Sequence, residues 1–118
     1  MSDGILKFEN LKDWKESFEL SVQIYKIIRV SKEYALRDQI LRSSLSVPSN
    51  IAEGHDRNSG KEFIRFLNIA KASCGELRTQ IYFSIEIGLI DKEKGSELLD
   101  KTLKISSMIY NLIKSIKN

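Results

Sequence analysis

Apolar residues recur at steps of three and four along four stretches of the chain, and only short polar connections separate them. In the first stretch Leu11, Trp14, Phe18, Val22 and Tyr25 form one stripe. Leu20, Ile24 and Ile27 form a second, about 180° away at the roughly 100° per residue of an α-helix. The pattern predicts a helix from Leu11 to Val30, with Asn10 as N-cap and Asp13 favouring the positive helix end. One helix with two opposed apolar faces must be covered on both sides.

The second stretch predicts a helix from Tyr34 to Glu53, ended by Gly54 at C′. Leu36, Ile40, Val47 and Ile51 make one stripe; Leu41, Leu45 and Ala52 make another. Gln39, Arg42, Ser43, Ser46, Asn50 and Glu53 form a polar stripe on the remaining side. Pro48 lies inside this helix, where its ring removes one backbone bond and meets the carbonyl of Ser44. A kink is expected there, at a cost of roughly 3 kcal/mol in a helix interior. A break into two helices at Ser46–Val47 is the competing reading.

The third helix opens at a capping box, Ser59-x-x-Glu62, runs to Ile87 and stops at Gly88. Phe63, Leu67, Ala70, Cys74, Leu77, Ile81 and Ser84 repeat in alternating steps of four and three. The fourth, capped by Asp91 and running to Lys117, repeats the rhythm through Leu98, Thr102, Ile105, Ile109, Leu112 and Ile116. Such seams favour long, nearly parallel packing. The Gly88–Asp91 connection is too short for anything but an antiparallel hairpin. The expected fold is all-α: an antiparallel up-down-up-down four-helix bundle, with the second helix kinked at Pro48. It fills one domain, residues 1–118, with residues 1–10 as an extended lead.

Composition narrows the function classes. With 118 residues, 42% hydrophobic and 30% charged, the chain can bury a core without disulfide or metal staples. The richest apolar run, Ile81 to Ile90, contains Glu86 and is too short for a membrane span. The N-terminus lacks a basic-then-apolar signal pattern, and the single Cys74 cannot form an internal disulfide, so a reducing cytoplasm is the expected compartment.

Candidate chemistry is sparse. One His and one Cys cannot build an ordinary zinc site, and no Glu-x-x-His pair of the di-iron bundles occurs; no metal or cofactor is expected. His55-Asp56 could act as an acid–base pair only beside a nucleophile or substrate, and reads as surface loop. Cys74 sits on the seam of the third helix and reads as a buried, inert thiol. The stretch Gly54 to Glu62 imitates a phosphate loop, but it is one residue too long, ends on Glu62 instead of Ser or Thr, and follows a helix. No nucleophile, acid–base pair and orienting group occur together, so an enzyme is not expected.

Binding is the remaining class. The polar stripe with Arg42, Ser46, Asn50 and Glu53 reads first as a hydrogen-bonded network fixing helix register, and second as a ligand contact. Glu53, in the last turn of the helix, is poorly placed for the dipole, and Arg57 or a basic residue of another helix is its expected partner. The basic residues Arg42, Arg57, Lys61, Arg65, Lys71 and Arg78 concentrate mid-chain: residues 29–78 carry nine basic and six acidic side chains. The cluster is thin for one copy; several copies together could neutralise many phosphates.

The run Ser46-Val47-Pro48-Ser49-Asn50-Ile51-Ala52-Glu53-Gly54 resembles the signature of the bacterial 23S rRNA intervening-sequence protein family. The resemblance continues through Arg57, Ser59, Glu62-Phe63, Phe66-Leu67, Ile69-Ala70, Ser73, Glu76-Leu77 and Thr79-Gln80. Upstream, Leu11, Trp14, Tyr25, Gln39-Ile40 and Arg42 also fit. It departs at Leu41 and Ser43-Ser44, where a more basic, Ala-rich run is common. The resemblance implies a four-helix bundle assembled as a ring-shaped homopentamer without catalytic activity. Some members are encoded within insertions in large-subunit rRNA genes; related proteins accompany reverse transcriptases and bind nucleic acid and the polymerase. The surplus apolar residues Leu20, Ile24, Ile27, Leu41, Leu45 and Ala52 are then the expected subunit interface. The expected function is a homo-oligomer that binds RNA or DNA through phosphates, with a scaffold for a protein partner as the alternative.

Overall fold

Residues 7–118 are described by a computed structural model. Among them are four α-helices and no strand: α1 (Lys12–Ile28), α2 (Tyr34–Asp56), α3 (Gly60–Glu86) and α4 (Lys92–Lys117). Each connection is short, so each helix runs antiparallel to the one before. The result is an up-down-up-down bundle about 48 Å long and 24 by 22 Å across. Of the expected extended lead, residues 1–6 lie outside the described residues, and Phe8–Asn10 form one turn of 3-10 helix.

Local chemistry accounts for most of the helix ends. Ser59 Oγ accepts from the Glu62 backbone N–H, and the Asp91 carboxylate accepts from that of Lys94 at 2.8 Å. Gly88 takes φ +80° and closes α3: its N–H donates to the Ile85 carbonyl while Leu89 N–H donates to Ser84 O. This paired pattern is the Schellman stop, which needs a left-handed residue at C′. Two expectations fail. Leu11, not Asn10, is the N-cap of α1, because the 3-10 turn occupies Asn10. Gly54 does not end α2. The helix continues to Asp56, and Asn58 supplies the left-handed residue at φ 54°.

The core follows heptad lines on all four helices. On α3 and α4 most of the expected seams hold: Leu67, Ala70, Cys74, Leu77, Ile81 and Ser84 are buried, as are Leu98, Thr102, Ile105 and Ile109. Phe63, Leu112 and Ile116 are only half-buried, and past Ile109 the α4 line steps by four to Ile113 instead of by three to Leu112. On α1 the buried line is Ser17, Ser21, Ile24 and Ile28, flanked by Leu20. Two serines disguise it in the sequence. Their hydroxyls reach back to the carbonyls of Trp14 and Ser17, so the line is polar in composition but not in surface.

α2 passes through Pro48 as one helix, which removes the two-helix reading. Proline lacks an N–H, so the Ser44 carbonyl loses its partner four residues ahead. Ser21 Oγ of α1 lies 2.9 Å from Ser44 O and replaces it. That buried hydroxyl proton is shared with Ser17 O at 3.1 Å. Ser21→Ala is therefore expected to cost about 1–2 kcal/mol by stranding a buried acceptor. In a Pro48→Ala background the restored N–H serves Ser44 instead, and the same substitution should cost less than half as much. Denaturant titration of the four-protein cycle measures the coupling; additive effects would show that Ser44 is served elsewhere.

Candidate assembly and nucleic-acid surfaces

Burying the Ser17–Ser21–Ile24–Ile28 line turns the other stripe of α1 outward. Phe18, Val22 and Tyr25 are between 38% and 49% exposed. They face Leu41 and the exposed Leu45 of α2 across an open groove of about 310 Å³, whose one polar lining residue is Ser21. Trp14 stacks on Phe18 at 4.9 Å, and Phe8 meets Trp14 edge-on at 5.3 Å, which extends the row of rings. The expected interface set is thus corrected. Leu20 and Ile24 lie in the protomer's own core. Ile27 is half-buried and lines a separate cleft with Leu98 and Lys101 of α4. Ala52 is half-buried. Only Leu41 and Leu45 reach the groove. Angular spacing locates two stripes but does not say which faces in.

The six basic candidates split by their partners. Arg57 Nε donates to Glu53 Oε2 at 3.0 Å, and Arg65 makes a two-pronged contact with Glu62 at 3.0 and 3.2 Å. Their guanidinium carbons stand 5.0 and 4.4 Å from the centre of the Phe66 ring. The hydrogen bond from Arg65 holds the Glu62 carboxyl below its ordinary range, and Glu62 raises Arg65 in return. This corner is internally neutralised. Lys71 and Arg78 instead lie along the α3/α4 side, near Tyr110 and Tyr82, with Lys114 also beside Tyr110. Arg42 and Lys61 are exposed on α2 and at the start of α3.

The polar stripe of α2 divides as well. Asn50 Nδ2 donates to the backbone oxygen and hydroxyl of Ser46 at 2.8 and 3.0 Å. Ser46 Oγ lies 2.9 Å from Ser73 Oγ of α3, and Ser73 donates on to Ile69 O. With that last donation fixed, Ser46 must donate to Ser73, and the chain of donors runs one way from Asn50 to the α3 backbone. Its members hold α2 against α3. Glu53 stands outside it, bound to Arg57.

The sequence profile of the 23S rRNA-intervening sequence protein family matches residues 9–111. The chain belongs to this family. A crystal structure from Bacteroides thetaiotaomicron, described as a protein of unknown function from the S23 ribosomal protein family, is similar with a TM-score of 0.80 and 29% identity. The similarity covers 86% of this chain and 98% of that one. No curated protein matches.

Within this intervening-sequence protein the signature run from Ser46 to Gly54 is a packing device. Ser46 and Asn50 bond α2 to α3, Pro48 opens an acceptor for α1, and Gly54 lets the α2 backbone touch Phe66. The reactive candidates are placed plainly. Cys74 is buried, and burial pushes its thiol up to about 11 despite nearby Lys71 and Arg78. His55 meets the edge of Phe63 at 5.7 Å, with Asp56 3.5 Å away. Among the described residues no group of three metal-ligating side chains converges, and no helix is long and apolar enough to cross a membrane. The aromatic partners of the basic residues were missed from the sequence, although Arg78–Tyr82 and Tyr110–Lys114 each stand four apart, the spacing that makes helix neighbours.

Proposed function

We propose that the chain is a non-enzymatic, self-assembling four-helix bundle that presents a repeated basic surface to RNA. The observation that carries the assembly is the α1/α2 groove: five large apolar side chains line an open cleft on a bundle that is already closed. Contiguous apolar surface of this kind marks an interaction site. The occupant is further copies of the chain, in a ring of five as the family resemblance implies. Assembly would place the basic residues of every copy on one particle with a net charge of about +15, three per chain. The buried Cys74 and His55, which is half-buried in the last turn of α2 rather than in the expected loop and packs on Phe63, support a binding role over a catalytic one.

Light scattering with and without RNA tests both parts together. The expected particle is a multiple of 13.6 kDa that takes up RNA at low salt and releases it steeply as salt rises. A monomer, or an oligomer that ignores RNA at low salt, would overturn the corresponding half. The ion pairs of Arg57 and Arg65 favour a second reading, in which the assembled bundle is a scaffold for a protein partner. It predicts the same oligomer with no salt-dependent RNA uptake.

A further inference from the structure

Three cations of the bundle combine the lack of a carboxylate partner, which most of its lysines and arginines share, with an aromatic neighbour. Lys71 and Arg78 on α3 and Lys114 on α4 have no carboxylate within 4 Å among the described residues. Each lies instead beside a half-exposed tyrosine. Lys71 and Lys114 stand 5.9 and 5.6 Å from the centre of the Tyr110 ring, and Arg78 stands 6.0 Å from that of Tyr82. Arg78 Nε is enclosed and makes no hydrogen bond. Between Lys71 and Tyr110 runs an open groove of about 380 Å³, with Ser107 and Asn111 on its wall.

These residues form one track. Lys71, Arg78 and Tyr82 follow at steps of seven and four, so they share a side of α3. Tyr82 lies eleven residues beyond Lys71, about 16 Å along the axis, while Tyr110 sits opposite Lys71 on the antiparallel α4. The face therefore alternates ring and cation over a length that a short oligonucleotide spans. α3 and α4 lie across the bundle from the α1/α2 groove, so assembly through that groove leaves the track outward.

Building on the RNA reading above, we infer that the α3/α4 face is the RNA site and that its ligand is single-stranded. Unpaired bases stack on Tyr82 and Tyr110, and the phosphates between them rest on Lys71, Arg78 and Lys114. Cations beside aromatic platforms are the chemistry by which proteins hold single strands without reading sequence. A duplex keeps its bases stacked internally and offers the tyrosines nothing. The Arg57 and Arg65 corner contributes little, because its charge is already matched.

The test is fluorescence polarisation of the full chain with a labelled oligouridylate of about 12 nucleotides and a duplex RNA of the same length. The single strand should bind more tightly. Tyr82→Leu and Tyr110→Leu should each weaken it about tenfold, with Tyr→Phe at either position close to the parent. Lys71→Gln, Arg78→Gln and Lys114→Gln should each lower the salt slope by about 0.7. Helical circular dichroism confirms that every variant folds. A duplex bound as tightly as the single strand, or tyrosine variants that bind normally while Arg57→Gln and Arg65→Gln fail, would overturn this site and leave the RNA reading standing. Failure of both RNAs to bind at low salt would remove the RNA reading itself.

Discussion

Leu45→Glu is expected to abolish assembly while leaving the protomer folded. Leu45 is half-exposed on the isolated bundle, so a carboxylate there stays hydrated and costs the protomer little. Between subunits the same carboxylate would lose its water against Phe18, Val22 and Tyr25, with no cation among the groove-lining residues to receive it. An unpaired buried charge costs several kcal/mol, enough to shift association by roughly a thousandfold. The parent should therefore scatter as an oligomer whose melting temperature rises with concentration. The variant should scatter as a 13.6 kDa chain with a concentration-independent melt. Val30→Glu, at a position 80% exposed and outside the groove lining, is the control and should assemble normally. An oligomeric Leu45→Glu would place the interface elsewhere.

Gly54→Ala should destabilise the protomer, and Gly75→Ala should stabilise it. Both replace glycine by the best helix former inside a helix, a gain of roughly 1 kcal/mol where nothing opposes it. At Gly75 a new methyl meets nothing within 4 Å, so the gain survives. At Gly54 the methyl would stand 2.6 Å from Phe66 Cβ, 3.1 Å from Phe63 Cδ1 and 3.3 Å from the Phe63 carbonyl oxygen. Cβ atoms and carbonyls are fixed to the backbone, so no rotamer change relieves the contact and α2 must move off α3. Overpacking of this sort costs typically about 1–3 kcal/mol and at times more. The net expectation is a melting temperature roughly 5–10 °C lower for Gly54→Ala and a few degrees higher for Gly75→Ala. Thermal circular dichroism of the two variants decides it; a Gly54→Ala protein as stable as the parent would mean that the helices separate at no cost.

These contrasts also show how much the chain makes legible. The bundle, its antiparallel order, the middle of the α3 and α4 seams and the caps at Ser59, Asp91 and Gly88 follow from spacing alone, because each rests on neighbours within one or two turns. The end of the α4 seam, where Ile113 and not Leu112 is buried, does not. The orientation of α1 does not. Its buried line carries Ser17 and Ser21, and their fitness for the interior depends on carbonyls that only the folded helix offers. Gly54 misleads for a related reason. Glycine serves both to reverse a chain and to admit a neighbouring backbone, and only the position of Phe66 distinguishes the two. The basic candidates lay between. Glu53 and Glu62 stand four and three residues before Arg57 and Arg65, so their pairing was visible in the spacing. The meeting of Lys71 with Tyr110 joins residues 39 apart and needed the fold.

Pro48 has an effect beyond its own helix. By baring one carbonyl toward α1, it acts as a keyway that the Ser21 hydroxyl fills. If α1 were turned half a revolution, the aromatic side would face inward and the key would leave its slot. A missing hydrogen in α2 thus joins the burial of Leu20, Ile24 and Ile28 in deciding which flank of α1 is offered to the outside.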